Sequence, residues 1–178
     1  MSVIILDRDG VINHDSKKYI KSPSEWVAIH GSLEAIARLT AAGYRVAIAT
    51  NQSGLSRGLF TLEALTSIHR KMMAAVESAG GRIDIIAFCP HHPSENCQCR
   101  KPNPGLLHAI NQEIPLDPDT DWIVGDTAKD LVAGHRMGIR SALVETGKGH
   151  RQLETGVVSR ETTPVFCDLA SFVNWLLT

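Results

Sequence analysis

The sequence holds no apolar run approaching the ~20 residues needed to cross a bilayer, so no membrane partner is expected. Aromatic residues are scarce, at 5% of the chain, and 18 Lys and Arg stand against 19 Asp and Glu for a net charge of −1. Without a basic surplus to neutralise phosphates or aromatic platforms on which bases stack, nucleic acid is not an expected partner either. There is no internal repeat, low-complexity tract or linker, and no leader-like segment precedes the first strand-like run. A single domain over 1–178, acting in the cytoplasm as a monomer, is the expectation. Cysteines are few, but three of the four (Cys89, Cys97 and Cys99) fall within eleven residues. A reducing compartment disfavours disulfides, and such clustering there points to a metal or to catalysis. Cys167 lies apart, in a late apolar run, and is expected in the core.

What is present is enough apolar material, 43% of 178 residues, to bury roughly 70% of the extended surface. Short aliphatic runs alternate with helical patterns, which predicts an α/β fold: a Rossmann-like parallel sheet with helices on both faces. The expected strands are Val3–Leu6, Arg45–Ala49, Ile83–Phe88, Trp122–Val124, Ala142–Val144 and Pro164–Phe166. The expected helices are Ser32–Ala42 with Ser32 as N-cap, Thr61–Ala79, Asn103–Gln112 with Asn103 as N-cap, Ala128–Met137 and Leu169–Leu176. Glu145–Thr163 shows no period and is expected to be a loop. His14, His69 and His108 are expected on the surface or within helices, with no part in the site.

In open α/β sheets, ligands bind beyond the carboxyl ends of the strands. Those ends carry Asp7-Arg8-Asp9-Gly10, Thr50-Asn51-Gln52-Ser53 and Gly125-Asp126, and Arg100-Lys101-Pro102 comes between the third and fourth strands. Residues two apart in extended chain face the same way, so Asp7 and Asp9 are expected to face one crevice. With Asp126 beside them, the carboxylates form a hard-oxygen site suited to Mg²⁺ and a phosphate. The charges nearly balance when Mg²⁺ and Lys101 face Asp7, Asp126 and a phosphate dianion, with Asp9 neutral. Crowding by Asp7 is expected to raise the Asp9 pKa to that end.

Cys89-x-His91, then five residues, then Cys97-x-Cys99 supply three thiolates and an imidazole, the number and softness of a closed tetrahedral Zn²⁺ site. His92 competes with His91 for the fourth place. Such a site orders a polar loop, and Arg100-Lys101 follow its last thiolate, so zinc is expected to aim those two cations.

Asp7-Arg8-Asp9-Gly10-Val11, Thr50-Asn51-Gln52, Lys101-Pro102 and Gly125-Asp126 with Asp130 resemble, in order, the four motifs of the haloacid-dehalogenase (HAD) phosphohydrolase superfamily. Cys-Pro-His ahead of Cys-x-Cys-Arg-Lys-Pro is similar to the branch of heptose-bisphosphate and histidinol-phosphate phosphatases, and that pattern favours His91 over His92. The resemblance implies Asp7 as nucleophile, forming an aspartyl-phosphate, and Asp9 as general acid and base with its backbone carbonyl on Mg²⁺. It implies Thr50 and Asn51 on the phosphoryl oxygens, Lys101 paired with the nucleophile and phosphate, and Asp126 on Mg²⁺ with Asp130 behind it.

The chain leaves no room for a large cap domain, so loops are expected to select the substrate. Asp15, Lys18, Asn51, Gln52, Ser53, Arg57, Arg100 and Lys101 are the expected substrate contacts, with Lys17 as a further cation. The resemblance implies a small phosphorylated sugar, D-glycero-D-manno-heptose 1,7-bisphosphate losing its 7-phosphate on the way to activated heptose for lipopolysaccharide. Histidinol phosphate is the alternative, although its enzymes in this branch are commonly fused to a dehydratase domain. Two features depart from the heptose pattern: the short gap between His91 and Cys97, and Thr127 where a basic residue is common, with Lys129 as a possible substitute. A zinc-stabilised module that binds phosphorylated ligands without catalysis would more typically have lost Asp7 or Asp9.

Overall fold

The computed structural model describes residues 2–178. Six parallel strands form one sheet: β1 (Val3–Leu6), β2 (Arg45–Asn51), β3 (Ile85–Cys89), β4 (Trp122–Gly125), β5 (Arg140–Val144) and β6 (Val165–Phe166), in the order β3-β2-β1-β4-β5-β6. The helices are α1 (Ser32–Ala41), α2 (Leu62–Ser78), α3 (Gly105–Glu113), α4 (Ala128–Arg136), α5 (Gly149–Glu154) and α6 (Leu169–Leu176).

Strand β1 is buried on both faces, which is why its sequence is aliphatic without alternation. Ile4 and Leu6 turn toward α1, α2 and α6, where they join Ile36, Leu39, Ile68, Met72, Phe172 and Val173. Val3 and Ile5 turn the other way, onto Leu107 and Ile110 of α3 and Ala133 of α4. Each such side chain contributes roughly 1.5–3 kcal/mol by leaving water. Both faces of the sheet are therefore covered, as expected, and the segments 7–31 and 52–61 hold connecting turns rather than a large cap. Among the described residues, no helix is long and apolar enough to cross a membrane.

This topology positions a site. The connection after β1 leads to α1 on one face, while that after β4 leads to α4 on the other. The adjacent strand ends part there and leave a crevice.

Four local expectations are corrected. Gly31, not Ser32, is the N-cap of α1, and the Ser32 hydroxyl instead donates to the Val11 carbonyl at 2.9 Å. Pro104, not Asn103, precedes α3, because the Asn103 amide is used across loops: Nδ2 donates to the Cys97 carbonyl and Oδ1 accepts from Arg136. The segment taken as loop contains α5, a single short helix whose apolar positions are too few to show a period. Cys167 is exposed, because it falls just beyond the two-residue edge strand β6.

Candidate active site

The crevice at the ends of β1 and β4 opens into a cleft of about 300 Å³, and both Asp7 and Asp9 line it. Asp7 follows β1 and accepts at Oδ1 from Lys101 Nζ at 3.1 Å. Lys101 is 2% exposed, and Nζ also donates to Asp130 Oδ1 at 2.6 Å and to the Ala49 carbonyl. Its three donors are thereby all used, and the flanking carboxylates outweigh burial to hold its pKa above the usual lysine range. Asn51 clamps the Lys101 backbone in a two-way pair, its Nδ2 donating to Lys101 O at 3.0 Å and its Oδ1 accepting from Lys101 N at 3.1 Å.

Asp126 reaches the same point from β4. Lys148 donates its backbone N–H to Asp126 Oδ2 at 2.8 Å, and Gly10 and Gly147, both at positive φ, pack against that oxygen. Asp130 stands behind at the start of α4. Its Oδ2 takes the backbone N–H and the hydroxyl of Thr127, at 3.1 and 2.8 Å, while Oδ1 faces Lys101. Both of its oxygens are thus occupied by protein donors, the role expected of a supporting acid.

Oxygens of Asp7, Asp126 and Asp130 lie within 4.8 Å of one another. Burial pushes the Asp7 carboxyl up to about 7, with Asp130 and Asp9 raising it further against Lys101. Burial pushes Asp126 up to about 8, reinforced by Asp7 and Asp130. Three clustered acids, of which Lys101 pairs with only Asp7 and Asp130, leave a surplus of negative charge, and this donor set fits a hard divalent cation such as Mg²⁺, held by Asp7 and Asp126.

Asp9 departs from expectation. Its carboxylate is not in that cluster. It takes Arg8 Nε and Nη2 at 3.1 and 2.9 Å, Asn13 Nδ2 at 2.9 Å and Gln52 Nε2 at 3.1 Å. Burial raises its pKa, but the Arg8 charge and these three donors outweigh burial and hold it below the usual carboxylate range. The expected elevation by Asp7 is overturned because the neighbours that touch Asp9 are donors. His69 lies on a helix, α2, and is not on the surface: it is 7% exposed and faces Arg8. A histidine on the apolar stripe Leu65, Ile68, Met72, Val76 is the signal that could have found it.

The remaining expected contacts divide. Asp15, Asn51, Gln52, Ser53, Arg57, Arg100 and Lys101 line the cleft, as do Lys17, Thr127 and Lys129. Thr50 is buried and outside the lining, its hydroxyl accepting from Gln52 Nε2 at 2.9 Å. Lys18 is exposed and outside the lining, because the turn directs Lys17 and Tyr19 inward instead. Lys148, which pairs with Asp15 at 3.0 Å, also lines the cleft, and no sequence signal marks it because the stretch around it shows no period. Arg100 Nη1 is buried without a partner.

In the zinc loop, Cys89 Sγ lies 3.5 Å from His91 Nδ1 and from Cys97 Sγ, and Cys99 Sγ lies 3.2 Å from both His91 Nδ1 and Cys89 Sγ. A tetrahedral zinc site spaces such donors by roughly 3.5–3.8 Å, so the set fits Zn²⁺ with a few tenths of an ångström of adjustment. Burial pushes the Cys89 thiol up to about 12, whereas at Cys97 the Arg100 N–H and the neighbouring thiols outweigh burial and bring it down to about 7. His92 is turned away, capping the short turn Pro93–Glu95 by accepting from Ser94 N at 3.2 Å. The imidazole in the cluster is that of His91.

Comparison with known proteins bears on this site. The HAD-hydrolase-like family model matches residues 98–172. The chain is 49% identical over 177 residues to the D-glycero-beta-D-manno-heptose-1,7-bisphosphate 7-phosphatase of Pseudomonas putida, covering 99% of this chain and 100% of that protein. It is 47% identical over 178 residues to the protein of that name from Neisseria meningitidis, covering 99% and 95%. Among solved structures, the D,D-heptose 1,7-bisphosphate phosphatase of B. bronchiseptica, complexed with magnesium and phosphate, superposes with a TM-score of 0.95 at 47% identity, covering 99% and 98%. The corresponding enzyme of Burkholderia thailandensis gives 0.78 at 43% identity, covering 100% and 99%.

Proposed function

The chain belongs to the HAD-like hydrolases, and from that premise we propose that it removes the 7-phosphate of D-glycero-β-D-manno-heptose 1,7-bisphosphate, as a Mg²⁺-dependent phosphomonoesterase. The observation that carries this reading is the meeting of Asp7, Asp126 and the buried Lys101 at one strand-end crevice.

In this reading Asp7 attacks phosphorus, the bond from phosphorus to the sugar oxygen breaks, and Asp9 gives that oxygen a proton. Water then attacks the aspartyl-phosphate and gives its proton to Asp9, the bond from phosphorus to Asp7 breaks, and inorganic phosphate leaves. A carboxylate nucleophile divides one difficult displacement into two easier ones. Because Asp9 is held ionised in the free protein, the proton it hands over is taken up as the phosphorylated substrate enters. Lys101 fixes the Asp7 oxygen and offsets its charge. Mg²⁺ held by Asp7, Asp126 and the Asp9 carbonyl would neutralise phosphoryl charge and orient the group. Zn²⁺ held by Cys89, His91, Cys97 and Cys99 would order the loop that leads into Arg100 and Lys101.

Arg57, Arg100, Lys17 and Lys129 put positive charge on the cleft walls for a substrate with a second phosphate. The reading extends to a single-domain monomer working in the cytoplasm, where a reducing environment keeps the cysteines available to metal.

Phosphate release over a panel containing the heptose bisphosphate and histidinol phosphate, with and without Mg²⁺, tests the function. Selective Mg²⁺-dependent turnover of the heptose bisphosphate, lost in Asp7→Asn, is the expected result. Faster turnover of histidinol phosphate reverses the substrate assignment, and full activity in Asp7→Asn removes the mechanism.

A further inference from the structure

Arg8 is fully buried, and both ends of its guanidinium are engaged. Nε and Nη2 hold Asp9, with Nη2 at 2.9 Å from Oδ1 and 3.0 Å from Oδ2, while Nη1 lies 3.3 Å from Nε2 of His69. A guanidinium has only donors, so Nε2 of His69 must be the acceptor and the ring proton must sit on Nδ1. His69 arrives from α2, an element that contributes nothing else to this network. Its ring is braced edge-on by Phe88 of β3, with centroids 6.2 Å apart. Burial, reinforced by the Arg8 charge, brings its pKa down to about 4, in keeping with a neutral imidazole.

We propose that His69 is a positioning residue of the hydrolysis: its Nε2 anchors the Arg8 guanidinium, and Arg8 in turn aims the Asp9 carboxylate at the leaving oxygen. The proposal rests on the reading of Asp9 as the acid of the first step. Asn13 and Gln52 anchor the pair only at its Asp9 end, and the Nη1 end of the guanidinium needs an anchor of its own. A third point, fixed by a packed helix, supplies it. Take the acceptor away and Nη1 is buried unpaired, a state that Arg8 relieves by turning and carrying Asp9 with it. A core histidine with no part in the chemistry would behave differently, since its loss would weaken every substrate alike.

That difference is measurable, because an alkoxide leaving group needs a proton and p-nitrophenolate does not. First-turnover release of the leaving group isolates the step in which the P–O bond breaks. In full-length Mg²⁺-loaded His69→Leu, this release from the sugar phosphate is expected to slow at least about tenfold, with little change in substrate affinity. Release from p-nitrophenyl phosphate is expected to stay within about twofold of the parent. His69→Gln, which restores an acceptor, should recover most of the loss. His69→Met, also without an acceptor, takes the place of His69→Leu if that variant does not fold. In the metal-free protein, ¹⁵N NMR near neutral pH should show the Nδ1–H tautomer.

Equal slowing on both substrates, no slowing on the sugar phosphate, or an Nε2–H ring overturns the proposal. Asp9→Asn on the same pair separates the two levels. If it slows both substrates alike, the acid role of Asp9 fails. If it is selective while His69→Leu is not, only the role of His69 fails.

Discussion

Gly10 and Asp126 are packed so tightly that a β-carbon on Gly10 would stand 2.2 Å from Asp126 Oδ2. The contact joins the loop after β1 to the end of β4. It also explains the glycine twice over, since its φ of +87° is itself costly for any L side chain. Gly10→Ala is expected to lower stability by about 2 kcal/mol and kcat/KM at least ~100-fold, because relieving the clash moves a cluster carboxylate. Denaturant unfolding and phosphate release measure the two effects. A variant with parental activity would show that the Asp126 position has slack.

Lys101 is the sole cation within hydrogen-bond reach of Asp7 and Asp130 among the described residues. Lys101→Met leaves Asp7 and the buried Asp130 without their shared cation, so the metal-free variant should lose about 3 kcal/mol and should take up protons where the parent does not. Its kcat should fall at least ~100-fold even with saturating Mg²⁺, because the nucleophile is no longer held.

The pH dependence of the Mg²⁺-free protein follows from Asp7 and Asp126. Their folded pKa values, about 7 and about 8, lie above the unfolded value of 3.8, so between these limits the folded state binds more protons than the unfolded state. Stability therefore falls as pH rises. His69 has the opposite sign, with a folded value of about 4 below its unfolded 6.5, and it removes stability as pH drops through that interval. Above about pH 6.5 His69 is silent, but Cys97, brought down to about 7 from 9.0, adds stability as pH rises in zinc-free protein, so the acids act alone only while zinc occupies the thiols. Thermal melts of zinc-loaded protein from about pH 6.5 to 8.5 should show a falling Tm without Mg²⁺. Added Mg²⁺ should raise Tm more at the alkaline end, where it displaces fewer protons.

The loop metal gives a further expectation. Elemental analysis should find about one zinc per chain, retained in His92→Ala and lost in Cys97→Ser and His91→Ala. Removing zinc should lower kcat through Lys101, which stands two residues after Cys99, while leaving Mg²⁺ affinity at Asp126 nearly unchanged. Full activity of zinc-free protein would show that Asn51 and the partners of Nζ hold Lys101 in place without the metal.

Much of this architecture can be read from spacing. The aliphatic run Val3–Leu6 is a strand buried on both faces, and Leu65, Ile68, Met72 and Val76 mark α2 because a 3.6-residue period survives any tertiary setting. The zinc donors are equally plain, since ligand chemistry limits which residues can cluster at that spacing. Short strands such as β6 are legible from their apolar residues, but a short polar helix is not. Helix α5 has too few apolar positions to show a period, and Lys148, at its start, went unseen with it.

Chain order and residue type alone were enough to place acids at the ends of two strands of a parallel sheet and a lysine in the loop between the third and fourth strands, because strand period and connection handedness admit few alternatives. The charge state and direction of Asp9 were settled elsewhere. A period of two says which side of the strand it leaves, but not whether it meets an acid or a donor. Asn13 from its own loop, Gln52 from the turn after β2 and, through Arg8, His69 from α2 decide that, and Gln52 and His69, distant in sequence, become neighbours only when the helices close on the sheet.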